Sequence, residues 1–128
     1  MNLKEPKNLI EIHAARNQKN LNTLISAMKK NGWNGRPILI YDNGNGSFAL
    51  TGSHRIAAAR EANILVPIKN VDAEKFASQL EKEGLTFDEL IGSGDDRVTD
   101  FLRRAGDLES ARLMEAEGSQ RYNSQIPA

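Results

Sequence analysis

The segment from Ile38 to Leu50 has the pattern of a β-hairpin, and no other feature constrains the fold as strongly. Two short runs dominated by apolar residues, Ile38–Tyr41 and Ser47–Leu50, flank the turn-forming sequence Asp-Asn-Gly-Asn-Gly at 42–46. Asn and Gly tolerate positive φ, which a tight turn between antiparallel strands requires. A sheet this small needs helices over at least one face, so we expect the rest of the chain to supply them.

Helical patterns lie on both sides of this hairpin. On its N-terminal side, apolar residues recur at the spacing of one helix face, namely Leu21, Leu24, Ile25 and Met28. Asn31-Gly32 then forms a natural helix stop. On the C-terminal side, the alanine-rich run 56–62 favours a second helix.

Two further segments bear on the sheet. Residues 64–71 are apolar and β-branched, which predicts a strand, and Pro67 within them favours an edge strand or a strand with a break. Residues 8–15 fit either a short strand or an irregular lead-in. Together with the hairpin, these segments predict a small mixed β-sheet.

From Asp72 onward the chain has helical patterns only. Asp72 suits the N-cap of a helix closed by Gly84, and Thr86 begins a sequence with the spacing of a capping box. Two more helices are expected, one ending at Gly106 and one over about residues 107–117. The polar residues after them are expected to fray.

These patterns predict an α+β fold, with a small mixed β-sheet flanked by helices and a helical C-terminal extension. We expect residues 1–72 to form the core and residues 73–128 to pack on it, as a single compact domain overall. Apolar residues of the extension either cover the sheet or form a face for a protein partner, and we favour the first interpretation.

Charge and residue usage exclude several classes of function. The 17 basic and 17 acidic residues cancel, so the chain has no general attraction to DNA, RNA or an anionic membrane. Its lack of cysteine excludes disulfides, thiolate metal sites and cysteine nucleophiles. The first residues lack the apolar core of a signal peptide, and no apolar run could span a bilayer. We therefore expect no membrane association and a cytoplasmic location.

The turn Thr51–Arg55 carries the clearest chemistry in the sequence. A strand ends at Thr51-Gly52 and a helix begins at Ser53 or His54, so the unpaired amides and the positive dipole end of that helix lie at the turn. Gly52 lets a ligand approach the backbone, while His54 and Arg55 add side-chain donors. Such a turn favours an anion, usually a phosphate. The structural alternative is a helix cap at Ser53 beside a satisfied histidine and a surface arginine.

The region from Leu21 to Val71 resembles the N-terminal domain of ParB-type partition proteins, and it also resembles sulfiredoxin. The shared pattern is a helix, a loop that ends in proline, a hairpin, a Gly-x-x-Arg turn, a helix and a strand with a central proline. In this chain the loop is Gly32–Pro37, the turn lies in Leu50–Arg55 and the last strand contains Val66–Ile68. The order and spacing of these pieces are more specific than any one of them.

The resemblance implies nucleotide binding at the turn. Partition proteins of this type carry Gly-Glu-Arg-Arg there and bind CTP, sulfiredoxin carries Gly-Cys-His-Arg and binds ATP, and free-serine kinases of the superfamily carry a Gly-His-His-Arg-like turn. Gly52, His54 and Arg55 match the sulfiredoxin and kinase patterns. Ser53 stands where sulfiredoxin has its reactive cysteine, which excludes sulfinic-acid reduction by that route. The missing acidic residue of the partition proteins argues against their CTP-clamp chemistry.

Residues outside the turn are candidates by position or by the same resemblance. Arg16 precedes the first helix, where partition proteins carry an arginine near the nucleotide, and a solvated arginine is the alternative. Arg36 lies in a loop that often borders the nucleotide in this fold, and Trp33 in that loop either stacks on a base or plugs the core. Glu11 is a candidate general base by analogy with the kinases. No spacing of His, Asp or Glu fits a metal site.

We therefore predict a nucleotide-binding protein whose ligand is a nucleoside triphosphate or diphosphate (ATP or CTP), accompanied by Mg²⁺. The residues expected to hold it are Thr51, Gly52, Ser53, His54, Arg55, Arg16 and Arg36. NTP hydrolysis or phosphoryl transfer to a small molecule would use His54 and Glu11 as catalytic residues. The alternative is a DNA-associated partition or phage-type regulator, or a nuclease-like module, without catalysis of its own. A homodimer is compatible with either function.

Overall fold

The computed structural model describes residues 2–12 and 17–124, with side chains described through residue 116. Within these ranges the chain forms five strands and six α-helices. It divides into two compact units, Met1–Asn70 and Val71–Ala128. The first unit holds the whole sheet with two helices, and the second holds four helices. The predicted α+β class is confirmed, while the packing of the helical extension on the core stays a prediction.

The first unit is built on a five-stranded mixed sheet. Its strands are β1 (Asn2–Lys4), β2 (Leu9–Glu11), β3 (Ile38–Asp42), β4 (Ser47–Ala49) and β5 (Val66–Asn70). They lie in the order β1-β5-β3-β4-β2. The antiparallel pair β3 and β4 is the predicted hairpin, whereas β2 runs parallel to β4 and β5 runs parallel to β3. The helices of this unit are α1 (Gln18–Asn31) and α2 (Ser53–Ala62), with a short 3-10 helix at Pro6–Asn8.

The sheet curls so far that its first and fourth strands meet. Nζ of Lys4 on the edge strand β1 donates a 2.7 Å hydrogen bond to Oγ of Ser47 on β4, although β5 and β3 lie between these strands in the sheet order. Ser47 in turn donates to Oδ2 of Asp42 at 3.2 Å, and the Gly44 amide donates to Oδ1 at 2.9 Å. These hydrogen bonds, the Gly44 amide first, lower the pKa of Asp42 below its ordinary value.

The core of the first unit is formed by the sheet and its two helices. Alternate residues of β3, Ile38 and Ile40, are fully buried in it. Helix α2 contributes Ile56 and two buried alanines, Ala58 and Ala59. Because alanine side chains are short, the backbone of α2 can pack close to neighbouring elements such as α1. The apolar face predicted for α1 packs against the same core through Leu21, Leu24, Ile25 and Met28.

Residues 64–71 were predicted to form an edge strand or a strand with a break, and neither holds, because β5 runs unbroken over Val66–Asn70 inside the sheet. Strand β5 lies between β3 and β1, with Pro67 opposite Leu3 of β1. The outer partner β1 is itself the edge strand and is only three residues long, so Pro67 lies in the part of β5 that pairs with a short edge strand. Residues 8–15 were predicted as a short strand or an irregular lead-in, and Leu9–Glu11 form a strand. Residues 13–16 lie outside the described ranges.

The second unit consists of the helices α3 (Ala73–Glu83), α4 (Phe87–Gly92), α5 (Asp95–Arg104) and α6 (Leu108–Ser124). The predicted caps are confirmed. Asp72 accepts the Lys75 amide at 3.1 Å, and Thr86 and Glu89 form both hydrogen bonds of a capping box. The expected end of the last helix near residue 117 was wrong, because α6 continues to Ser124. None of the helices in the described ranges is long and apolar enough to cross a bilayer.

Aromatic packing and charge pairing hold these four helices together. Phe76 of α3 meets Phe101 of α5 edge-on, with ring centres 4.9 Å apart, and both side chains are fully buried. At the end of α3, Glu83 accepts two hydrogen bonds from Arg104, at 3.0 Å from Nε and 2.8 Å from Nη2. This fork lowers the pKa of Glu83 below its ordinary value.

Candidate functional site

Strand directions bring three connecting segments to one edge of the sheet. The parallel strands β2 and β4 both end at this edge, and the antiparallel strand β3 begins there. The segment from β2 to α1, the loop 32–37 before β3 and the turn 50–55 after β4 therefore leave from the same edge. This arrangement places Arg36 and the turn predicted to bind phosphate at the same end of the sheet.

Gly52 starts helix α2 from the left-handed region of backbone space, with φ 77° and ψ 32°. A Cβ at this position would collide with the side chain of Ile38, so the turn has no room for a larger residue. Glycine also has no side chain with which to cap a helix. The first intrahelical hydrogen bond runs from the Ile56 amide to the Gly52 carbonyl at 2.8 Å. The amides of Ser53, His54 and Arg55 therefore have no acceptor within the helix.

Helices α1, α3 and α4 differ from α2 in how their N-termini are capped. Each is capped by a side chain that accepts a hydrogen bond from a first-turn amide, and the capping residues are Asn17, Asp72 and Thr86. A side-chain oxygen thus already occupies the position that an external anion would take. Helix α2 begins at Ser53, one of the two predicted starting residues, and its N-cap Gly52 supplies no such oxygen.

Arg55 joins the turn to the loop before β3. Its Nη1 donates a 2.8 Å hydrogen bond to the carbonyl oxygen of Arg36, and its guanidinium carbon lies 5.0 Å from the centre of the Trp33 ring. Nε1 of Trp33 donates to the same carbonyl at 3.3 Å. The positions where Gly35 and Gly52 would carry a Cβ lie 3.7 Å and 3.5 Å from Arg55 nitrogens. Arg55 is therefore held in place by the loop and is more than a surface cation.

His54 joins the turn to the start of α1. Its Nε2 accepts a 3.1 Å hydrogen bond from the backbone amide of Asn17. Asn17 is the N-cap of α1, and its Oδ1 accepts the Asn20 amide at 3.0 Å. The N-termini of α1 and α2 therefore lie side by side at this edge. No sequence pattern pairs His54 with Asn17, although Asn17 itself could have been recognised as a cap.

Glu11 lies at the end of β2, opposite Ala49 of β4. Its Oε1 is 3.0 Å from Nη1 of Arg60, and its side chain is only 18 % exposed. Arg60 lies in the last turn of α2 and also donates to the Pro6 carbonyl at 3.4 Å. The carboxylate of Glu11 is thus paired about two helical turns away from Ser53, so these contacts do not bring it to the turn.

The remaining predicted residues have different surroundings. Thr51 is buried, with 8 % of its surface exposed. Trp33 is half-buried and packs against the core of the first unit, as one of its two interpretations predicted. Its ring also contacts the guanidinium of Arg55. Arg16 lies outside the described residues. The structure thus brings together the turn, Arg36 and Trp33, and adds Asn17, which the sequence did not single out.

The sequence matches no protein-family model and has no significant match among curated proteins. Among the described residues, no group of three or more His, Asp and Glu side chains is arranged to hold a metal ion.

Proposed function

We propose that this chain binds a nucleotide through its phosphates at the turn Thr51–Arg55. The observation that carries the proposal is a helix start without a capping oxygen, at an edge that also carries two arginines. The first-turn amides of Ser53, His54 and Arg55 can donate to a phosphate that lies on the axis of α2. Glycine at position 52 lets that phosphate approach the backbone closely.

Local electrostatics support an anion at this position despite the neutral charge of the whole chain. The dipole of α2 places roughly half a positive charge at its N-terminus, and the N-terminus of α1 lies beside it through the contact of Asn17 with His54. Arg55 and Arg36 add two permanent positive charges on the segments that meet there. Hydrogen bonds from charged donors contribute about 1.5–3 kcal/mol each, which is more than neutral amides alone supply.

The resemblance to the ParB/sulfiredoxin superfamily supports the same ligand class. Members of that superfamily bind CTP or ATP at the turn that Gly52, His54 and Arg55 match, and we propose that this chain is a member. Ser53 in place of cysteine separates it from the reductase chemistry of sulfiredoxin. We expect Mg²⁺ to arrive bound to the phosphates, where it would neutralise part of their charge.

Binding is proposed here without an assigned reaction. His54 and Glu11 are the two catalytic candidates, and each is engaged by another group: Nε2 of His54 by the Asn17 amide, and Oε1 of Glu11 by Arg60. The lone pair on Nε2 of His54 is used by the Asn17 amide, whereas the carboxylate of Glu11 keeps further lone pairs but is paired with Arg60, about two helical turns from Ser53. Hydrolysis and phosphoryl transfer therefore stay predictions that a phosphate-release assay has to test separately.

Thermal unfolding with ATP, ADP or CTP, each with and without Mg²⁺, tests the proposal. A ligand that binds only the folded state stabilises it by about 2.7 kcal/mol at a concentration about 100 times its Kd. Arg36→Gln is the informative variant, because the two hydrogen bonds from Arg55 and Trp33 use the backbone carbonyl of residue 36 and survive the change. Arg112→Gln, at an exposed position of α6, is the control that removes one positive charge elsewhere.

We expect the wild type and Arg112→Gln to gain stability with at least one nucleotide, and Arg36→Gln to gain clearly less. Inorganic triphosphate, used as an additional probe, should reproduce part of the gain because the phosphates make the contacts. If folded protein gains no stability with any of these ligands, nucleotide binding is contradicted. Binding of duplex DNA with a steep salt dependence, in the absence of nucleotide binding, would instead favour the DNA-associated alternative.

A further inference from the structure

The contact between Asn17 and His54 fixes which form of the imidazole the structure contains. The backbone amide of Asn17 is a donor, so Nε2 of His54, 3.1 Å away, must carry a lone pair. A neutral imidazole with its hydrogen on Nδ1 meets this requirement. A protonated imidazole carries hydrogens on both nitrogens and cannot accept the Asn17 amide.

We infer that His54 is a positioning residue which, in its neutral form only, holds the N-terminus of α1 against the turn Thr51–Arg55, so that acidification releases this N-terminus and weakens phosphate binding. The part about phosphate rests on the proposed function; the part about α1 does not. The predicted loss of binding on acidification is opposite to the usual expectation for a histidine in an anion site, where protonation adds an attractive charge and strengthens binding.

The His54 ring lies where the N-termini of two helices meet. The ring lies in the first turn of α2 and touches the first residue before α1, so the positive ends of two helix dipoles meet there. The charged residues on the described segments that reach this edge are Glu11 at the end of β2, Lys19 in the first turn of α1, Arg36 before β3 and Arg55 in the first turn of α2. Glu11 is already paired with Arg60.

Release of the Asn17 amide would loosen the start of α1. Asn17 belongs to two interactions at once, because its amide donates to His54 while its side chain caps the Asn20 amide. Without the hydrogen bond to His54, Asn17 at the N-terminus of α1 is no longer tied to the turn. The turn would then be ordered by one hydrogen bond fewer, and a bond of this kind corresponds to about a fivefold change in an equilibrium constant.

Three variants at position 54 separate this role from a simple charge effect. His54→Gln keeps an acceptor at the place of Nε2 and does not titrate. His54→Lys carries a permanent positive charge and has no acceptor. His54→Ala removes the side chain. We expect His54→Gln to bind nucleotide at acid and neutral pH alike, and we expect His54→Lys to bind more weakly than His54→Gln in spite of its added charge.

Nucleotide affinity is measured by calorimetry with Mg-ATP at about pH 5 and about pH 8, which lie on either side of the histidine range. Because the phosphates of ATP also titrate in this window, the quantity of interest is the affinity of the wild type relative to His54→Gln. We expect this ratio to fall about fivefold or more between about pH 8 and about pH 5. A ratio that stays constant or rises on acidification would overturn the inference.

NMR of the ligand-free wild type tests the same inference without any nucleotide. The imidazole nitrogens of His54 should show the Nδ1-protonated tautomer near neutral pH, and the Asn17 amide signal should move with the titration of His54. A protein that binds no nucleotide but shows this behaviour would contradict the proposed function and still support the role of His54. An Asn17 amide that does not respond to His54 protonation would overturn that role, whatever the binding result.

Discussion

The side chains of Arg55 and Trp33 share one acceptor, the carbonyl oxygen of Arg36. Nη1 of Arg55 donates to it at 2.8 Å and Nε1 of Trp33 donates at 3.3 Å, while the guanidinium carbon lies 5.0 Å from the centre of the indole ring. The loop before β3 and the turn after β4 are thus joined by a cation–π contact and one hydrogen bond, while the hydrogen bond from Trp33 lies within the loop. Any ligand bound at the turn meets a backbone that this contact has already ordered.

Arg55→Lys should destabilise the protein even without a ligand. Lysine keeps the positive charge but lacks the planar fork, so it cannot lie on Trp33 and donate to Arg36 in the same way. The loss of these interactions predicts a decrease of about 1–2 kcal/mol in the free energy of unfolding. Urea denaturation followed by the fluorescence of Trp33, the only tryptophan, measures it. Arg112→Lys on α6 is the control, and an equal effect of both changes would contradict the structural role of Arg55.

Gly52→Ala should be more damaging than Gly44→Ala. Both glycines have positive φ, 77° and 87°, so each change introduces the backbone strain of a non-glycine residue in that region. Only Gly52 adds a steric conflict, because its Cβ would collide with the buried side chain of Ile38; at Gly44, no described atom lies within 4 Å. We expect a difference of about 1–3 kcal/mol in the free energy of unfolding. Similar losses at the two positions would show that the turn has room to adjust.

The carboxyl group of Asp42 should make the first unit more sensitive to acid. The Gly44 amide and then the Ser47 hydroxyl lower its pKa below the ordinary value of 3.8. A group with a lowered pKa in the folded state contributes stability at pH values above 3.8, and this contribution is lost as the pH falls through the folded pKa. Asp42→Asn should therefore reduce that part of the pH dependence of Tm. Ser47→Ala should retain more of it than Asp42→Asn does, and the reverse order would contradict the assigned causes.

Arg104→Lys should lower the free energy of unfolding only slightly, but measurably more than Arg103→Lys does. Arg104 forms a two-bond fork with the single carboxylate of Glu83, whereas Arg103 reaches two exposed carboxylates, Asp100 and Glu115, with one nitrogen each. Lysine cannot reproduce the fork. Because Arg104 is 49 % exposed, solvent screening limits the expected cost to less than about 1 kcal/mol. A double-mutant cycle of Arg104→Lys with Glu83→Gln measures the coupling, and zero coupling would contradict the prediction.

The helices and the hairpin could be predicted from the sequence because their signals are local. Asp72, Thr86 and Gly84 act on amides or carbonyls only a few residues away, and the structure uses each of them as expected. Strand β1 could not be predicted, because Asn2–Lys4 has no alternating pattern and becomes a strand only by pairing with β5. The same pairing with β1 makes β5 an inner strand of the sheet, whereas Pro67 on its own had indicated an edge strand.

In the candidate site too, local features could be predicted from the sequence and long-range contacts could not. The start of α2 at Ser53 follows from Gly52 and the alanine-rich run after it. The contacts of Arg55 with Trp33 and of His54 with Asn17 depend on how the curled sheet brings distant segments to one edge. Glu11 was a candidate through resemblance alone, and its pairing with Arg60 depends on the position of β2 beside β4.

Backbone NMR during a titration with Mg-ATP, and then with Mg-CTP, tests the central claim most directly. The amides of Ser53, His54 and Arg55 should show the largest shifts, since they would donate to the phosphates. The first-turn amides of α3, from Ala73 to Lys75, are the internal control, because the Asp72 side chain already caps that helix. Saturable shifts centred on 53–55 would support the account, whereas unchanged amides at 53–55, or shifts centred on another surface, would contradict it.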